Sequence, residues 1–165
     1  MLDNNKESAK TILLIGCCGS GKTWVMKSII NKYKALKRQK IGKVYFQSND
    51  ELIILGKYDG QTFEGSDRLS MSVVTDLGKL ISVQGEKTII AEGDRFTNSR
   101  FIGEMKPIII KITDDGAKGR KLRGSNQTER HLKSVTTRVS NISATFEVKN
   151  SQEAFKLIEN LLKLN

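Results

Sequence analysis

The chain has 165 residues, a formal net charge of +10 and 38% hydrophobic residues, with a mean hydropathy of −0.36 and a pI near 9.7. This length suits one domain with a proper core, and no apolar run approaches the ~20 residues of a bilayer-spanning helix. Two adjacent cysteines and one histidine are too few for a four-ligand zinc site and badly placed for a disulfide, so both thiols are expected reduced, in a cytoplasmic setting.

Residues 1–10, MLDNNKESAK, are polar, lack a signal-peptide core and are expected to form a loosely attached lead. The stretch Thr11 to Thr23, TILLIGCCGSGKT, then organises the chain. Four apolar residues run into Gly16, Cys17, Cys18, Gly19, Ser20, Gly21, Lys22 and Thr23, the G-x-x-x-x-G-K-[ST] pattern of a phosphate-binding loop. Such a loop turns its backbone N–H groups around one anion, and Gly16, Gly19 and Gly21 are expected to supply the required angles. Lys22 is expected to reach the β- and γ-phosphates of a nucleoside triphosphate, and the Thr23 hydroxyl to ligate Mg²⁺. A helix from Trp24 to Leu36 should follow, its N-terminal dipole facing the anion and Val25, Ile29, Ile30, Tyr33 and Leu36 on its packed face. Trp24 joins the expected nucleotide contacts.

Lys32 to Lys43 is a basic stretch without an acid. Val44 to Phe46 reads as a strand, and Leu52 to Leu55 as its hairpin partner or a continuation of the sheet. Gly56 to Ser70 is a loop rich in Gly, Asp and Ser. Its Asp59, Asp67 and Arg68 are either acceptor-binding groups or members of an Asx-rich turn, with Asp67 or Ser70 capping the next helix. That helix is expected from Ser70 to Ile81, with Met71, Val74, Leu77 and Ile81 on one side. Thr88 to Ala91 is a strand, a short helix covers Asn98 to Met105, and Ile108 to Ile112 is another strand. Thr145 to Val148 and an amphipathic helix from Ser151 to Leu164 close the chain, with Ser151 as N-cap and Phe155, Ile158, Leu161 and Leu162 buried. Alternating strands and helices argue for an α/β fold, a parallel sheet covered on both faces.

Two further constellations carry chemistry. The strand ending at residue 91 would deliver Glu92, Asp94 and Arg95 to the carboxyl end of the sheet, where ligands of open parallel sheets bind. Asp94 is the expected acceptor-side carboxylate, Glu92 its competitor for the base or metal role, and Arg95 an acceptor-phosphate ligand. The alternative is a turn held by an Asp–Arg pair. Residues 118–138 carry Lys118, Arg120, Lys121, Arg123, Arg130, Lys133 and Arg138 against Glu129 alone. A solvated helix usually alternates its signs. This segment hardly does, and suits a basic lid (114–142) whose arginines close over a transferring phosphoryl group. His131 lies within it.

With these motifs in place, the chain resembles small P-loop kinases of the nucleoside-monophosphate kinase group. Asp94-Arg95-Phe96 is similar to the Asp-Arg-aromatic motif of thymidylate kinases, in which the Arg contacts the acceptor phosphate. GKYDG, GSDRLSM and AEGDRF together resemble phage-encoded P-loop kinases that phosphorylate 5-hydroxymethyluracil in DNA. The resemblance implies a sheet of about five parallel strands flanked by helices, ATP as donor and Mg²⁺ as cofactor. On the reading of the residues, Lys22, Arg120, Arg123 and Arg130 are expected at the transferring phosphoryl group, with Asp59, Asp67, Arg68, Arg95 and Arg138 on the acceptor side. The high charge fits either a lysine-rich surface that only keeps the protein soluble or a DNA partner, its phosphates held by Lys32 to Lys43 and the lid, in the host cytoplasm if the chain is phage-encoded. A free nucleoside-monophosphate kinase and a nucleic-acid-binding NTPase that transfers nothing are the rival expectations.

Overall fold

The computed structural model describes residues 9–34, 36–60 and 64–164. The four successive apolar side chains from Ile12 to Ile15 suit a strand covered on both faces. Strand β1 (Thr11–Gly16) is indeed buried along its whole length. It sits inside a seven-stranded mixed sheet with β2 (Lys37–Ile41), β3 (Val44–Ser48), β4 (Leu52–Leu55), β5 (Thr88–Glu92), β6 (Ile108–Ile112) and β7 (Phe146–Val148), in the spatial order β2-β3-β4-β5-β1-β6-β7. The block β4-β5-β1-β6-β7 is parallel throughout. Strands β2 and β3 add an antiparallel edge. The expected sheet of about five parallel strands is therefore one block of a larger mixed sheet.

Alternation along each strand sends its side chains to two cores. Leu13, Ile15, Ile53, Leu55, Ile89 and Ala91 face one side, packed with α2 (Leu77–Gln84), α3 (Ser99–Met105) and α5 (Glu129–Ser140) through Leu77, Leu80, Phe101, Val135 and Val139. Ile12, Leu14, Ile54, Ile90 and Ile110 face the other, under α1 (Lys22–Lys32) and α6 (Ser151–Lys163) through Val25, Met26, Ile29, Ala154 and Ile158. Each fully buried Leu, Ile or Phe contributes about 1.5–3 kcal/mol against exposure. The two clusters thus hold the helices on both faces of the sheet.

Several expected boundaries move. Helix α1 ends at Lys32 rather than Leu36. Ile30, Tyr33 and Leu36 still pack against the core from its end and from the turn beyond. The basic run that follows contains a strand, β2, whose Lys37, Arg38, Gln39 and Lys40 are all exposed. An edge strand tolerates this polarity, because solvated lysines there discourage pairing with another chain. The segment expected as a helix over 70–81 instead opens with a 3-10 turn (Val73–Asp76) and becomes α-helical only at Leu77. Met71 and Ile81 are consequently exposed, while Val73 and Leu80 are buried. Neither Asp67 nor Ser70 caps α2; Asp76 occupies the N-cap position and accepts the Lys43 N–H at 2.7 Å. In α6 the N-cap is Asn150, whose side chain accepts the Glu153 N–H at 2.9 Å, so Ser151 is the first helical residue. The expected lead falls mostly outside the described residues; Ala9 and Lys10 are described, and Lys10 Nζ donates to Leu161 O at 3.0 Å.

The basic segment 114–142 forms two helices, α4 (Ala117–Leu122) and α5. Val135 and Val139 anchor α5 in the core. Helix α4 carries no buried residue of its own.

Candidate functional site

Strand β1 ends at Gly16 and α1 begins at Lys22, so five residues reverse the chain between a buried strand and a helix. Gly19 (φ 87°) and Gly21 (φ 93°) occupy the left-handed region this reversal needs. Gly16 does not. It is glycine for space, since a Cβ there would sit 2.7 Å from Ser20 Oγ and 3.2 Å from Ile112 O. No side chain caps α1 and its first turn holds no acid, so its leading N–H groups and dipole are open to an anion. Lys22 Nζ donates to Gly16 O at 2.8 Å and Cys17 O at 3.0 Å, which folds its ammonium back across the loop. Ser20 Oγ is buried without a hydrogen-bond partner.

Helix α4 presses on this loop. Gly116 (φ 75°) lies so close that a Cβ there would fall 2.0 Å from Cys18 O, and one on Gly119 would fall 2.1 Å from Gly19 O. Arg120 Nη1 donates to Cys18 O at 2.7 Å and to Asp115 O at 2.6 Å. The side chains of Cys17 and Cys18 approach Thr136 Oγ1 (3.6 Å) and Gln127 Nε2 (3.5 Å), and both cysteines are free thiols. Gly116 and Gly119 escaped the sequence reading. The detectable signal was a pair of glycines three residues apart at the start of a helix.

Glu92 ends β5 beside the loop and is buried (4% exposed). Burial chiefly pushes its carboxyl above the ordinary Glu value, aided by the charge of Asp67, while Lys22 and hydrogen bonds from the Ser66 backbone and Tyr58 pull it down. Tyr58 OH donates to Glu92 Oε1 at 3.2 Å. Burial and the neighbouring Glu92 drive that phenol well above its usual range. A Cβ on Gly65 (φ 83°) would fall 2.3 Å from the same carboxylate oxygen. The Oγ of Ser66 and Oε2 of Glu64 are buried and unpartnered beside this loop. Tyr58, Glu64 and Ser66 were missed because they stand in a loop without periodicity.

The remaining sequence-predicted residues divide. Asp94 is held by Arg138 Nη1 at 2.5 Å from Oδ2, a contact 44 residues apart and not the local Asp–Arg turn that stood as the alternative reading. Arg95 Nε donates to Leu69 O at 3.2 Å, tying the end of β5 to the loop after β4. Asp59 and Arg68 form an ion pair with each other. Asp67 is exposed in a 3-10 turn (Ser66–Arg68). Arg123 and Arg130 are exposed, Arg130 lining a shallow depression along α5 with Lys133, Thr137 and Arg138. His131 is exposed, its N–H capped by Thr128. Trp24 is half-exposed and packs edge-on against Phe155, with centroids 6.1 Å apart.

The donors present fit a triphosphate with magnesium. The unpartnered Ser20 hydroxyl, the uncapped helix start and the Lys22 ammonium form a cradle for an anion, with Thr23 in the first turn of α1. Among the described residues no three His, Cys, Asp or Glu gather to cage a metal. Magnesium suits such a place, since it needs only one or two protein ligands and takes the rest from phosphate and water. Among those residues no helix is long and apolar enough to cross a membrane. Comparisons with protein-family models, curated proteins and solved structures returned no match.

Proposed function

We propose that this chain is an ATP-dependent kinase of the P-loop NTPase fold that transfers the γ-phosphoryl group to a hydroxyl on nucleic acid. The acceptor favoured by the GKYDG, GSDRLSM and AEGDRF motifs is the hydroxymethyl group of 5-hydroxymethyluracil in phage DNA. One observation carries the reading: the glycine turn at Gly19 and Gly21, with Lys22 folded across it, faces a buried carboxylate at the end of the neighbouring strand. An anion cradle beside a proton acceptor is what phosphoryl transfer to a hydroxyl requires.

Gly16 to Thr23 and Trp24 surround the nucleotide, and Thr23 holds magnesium. Bound ATP supplies the electrophilic phosphorus, and magnesium neutralises charge on its oxygens. The Lys22 ammonium exchanges its carbonyl partners for phosphate oxygens. Glu92 is the better-placed base, because its raised pKa suits proton uptake and, among the described residues, no cation forms an ion pair with it. Asp94, engaged by Arg138, positions that arginine instead. Arg95 and Arg68 stand on the acceptor side, with Asp59 and Asp67 orienting the loop. Arg120 ties α4 to the phosphate loop, leaving Arg123 and Arg130 to close over the developing charge.

The test offers ATP labelled at the γ-phosphate with hydroxymethyluracil DNA, ordinary DNA or mononucleotides. Label on hydroxymethyluracil DNA is the expected result. Label on mononucleotides alone overturns the nucleic-acid acceptor, and free phosphate without a labelled product overturns the kinase.

A further inference from the structure

Strands β2 and β3 pair so that Lys40 faces Tyr45 and Arg38 faces Gln47. Directly opposed residues share a face of the sheet, so Arg38, Lys40 and Tyr45 stand together on one side of the hairpin. The loop after β4 brings Lys57 and Arg68 to the same place, and the result is a groove of about 410 Å³. Four cations line it (Arg38, Lys40, Lys57 and Arg68) against one carboxylate, Asp59. Lys57 Nζ lies 3.7 Å and Lys40 Nζ 4.8 Å from the centroid of the Tyr45 ring. A hydrogen bond from Lys40 and the charges of both lysines hold the Tyr45 hydroxyl below its ordinary pKa. The positive potential is therefore concentrated at one phenol.

Lysines on an edge strand alone would only guard that edge. Here residues from three separate segments, β2, β3 and the loop after β4, converge on one concavity. Tyr58 also lines it; its carbonyl accepts from Arg38 Nη2 (3.5 Å) while its hydroxyl donates to Glu92. Glu92 itself does not line the groove; Tyr58, which does, links it to that carboxylate through its hydroxyl.

We propose that this groove binds the sugar-phosphate backbone of a nucleic-acid strand, holding the nucleotides next to the one presented to Glu92. The inference rests on the kinase reading and names the track its polymeric acceptor follows. A mononucleotide has no neighbouring phosphates and gains nothing from it. Phosphates displace the lysines from the ring, and Tyr45 then offers a face and a hydroxyl to the strand.

The test uses the full chain, a fluorescein-labelled thymidine 12-mer as single strand and as duplex, and anisotropy over a salt series. Lys40→Glu/Lys57→Glu, at positions outside the phosphate loop and the carboxylates, should weaken oligonucleotide binding at least tenfold. It should also flatten the dependence of log affinity on log salt, by about 0.7 per phosphate lost for a single strand. ATP affinity and the unfolding temperature of the variant should stay at wild-type values. Retained oligonucleotide affinity in the variant overturns the groove, as does wild-type protein that binds neither form of DNA. Titrating the same samples with ATP keeps the two readings apart: ATP bound without DNA refutes the groove alone, and neither bound refutes the kinase as well.

Discussion

The two flanks of the phosphate loop are built on different principles. On the side of α4 the closest contacts are backbone against backbone, Gly116 and Gly119 lying against the Cys18 and Gly19 carbonyls, with the Arg120 side chain bonded to one of them. On the side of β5 they are side chain to side chain, with Tyr58 on Glu92, Arg138 on Asp94 and buried oxygens of Ser66 and Glu64 left unpartnered. The first flank has no space to adapt, which suits an invariant ligand such as a triphosphate. The second keeps polar groups in reserve, which suits an acceptor that supplies their missing partners.

The contrast can be broken at several points. The largest effect is expected at Glu92. Glu92→Gln keeps the shape but removes the base, and transfer should fall by about 10²–10⁴-fold with ATP binding retained. The same variant has a stability signature. A carboxyl with a raised folded pKa binds more protons folded than unfolded, so wild-type stability should decline as pH rises from the ordinary Glu value through the raised one. Glu92→Gln should lack that decline in urea unfolding across this window, and a parallel decline would remove Glu92 as its source.

Next comes Gly116→Ala. The new Cβ meets a carbonyl and the backbone is left-handed, so a loss of roughly 3 kcal/mol and weaker ATP binding are expected. Gly124→Ala shares the positive φ (59°) but meets nothing within 4 Å, and should cost about 1 kcal/mol without touching ATP affinity. Equal costs by thermal unfolding would show that the packing of α4 on the loop is immaterial. The smallest effect belongs to Arg138→Ala. Its pair with Asp94 is partly solvated, so stability should change by about 0–1 kcal/mol. Transfer should fall more than stability if Arg138 serves the acceptor.

Much of the glycine loop and its flanking elements was legible in the sequence, because strand, glycine turn and helix start are contiguous there. Ile12 to Ile15 announce a doubly buried strand, and Gly19, Gly21, Lys22 and Thr23 follow at fixed spacing. The flank at the end of β5 depends on pairings between distant segments. Nothing local tells that Arg138 reaches Asp94, or that Tyr58 in a Gly- and Asp-rich loop is buried against Glu92. Strand β2 was hidden for another reason: Lys37 to Lys40 carry no apolar alternation, since an edge strand needs none. The helix expected from Ser70 failed because Met71 supplied the right period without a surface to bury it.

The most direct test is calorimetric titration of the full chain with ATP and magnesium, followed in parallel by fluorescence of Trp24, the single tryptophan and the neighbour of Thr23. One saturable site with a change in Trp24 emission, abolished in Lys22→Ala while the fold is kept, is expected. Absence of binding to the wild-type chain, or equal binding to Lys22→Ala, would contradict a triphosphate cradle at Gly16 to Thr23.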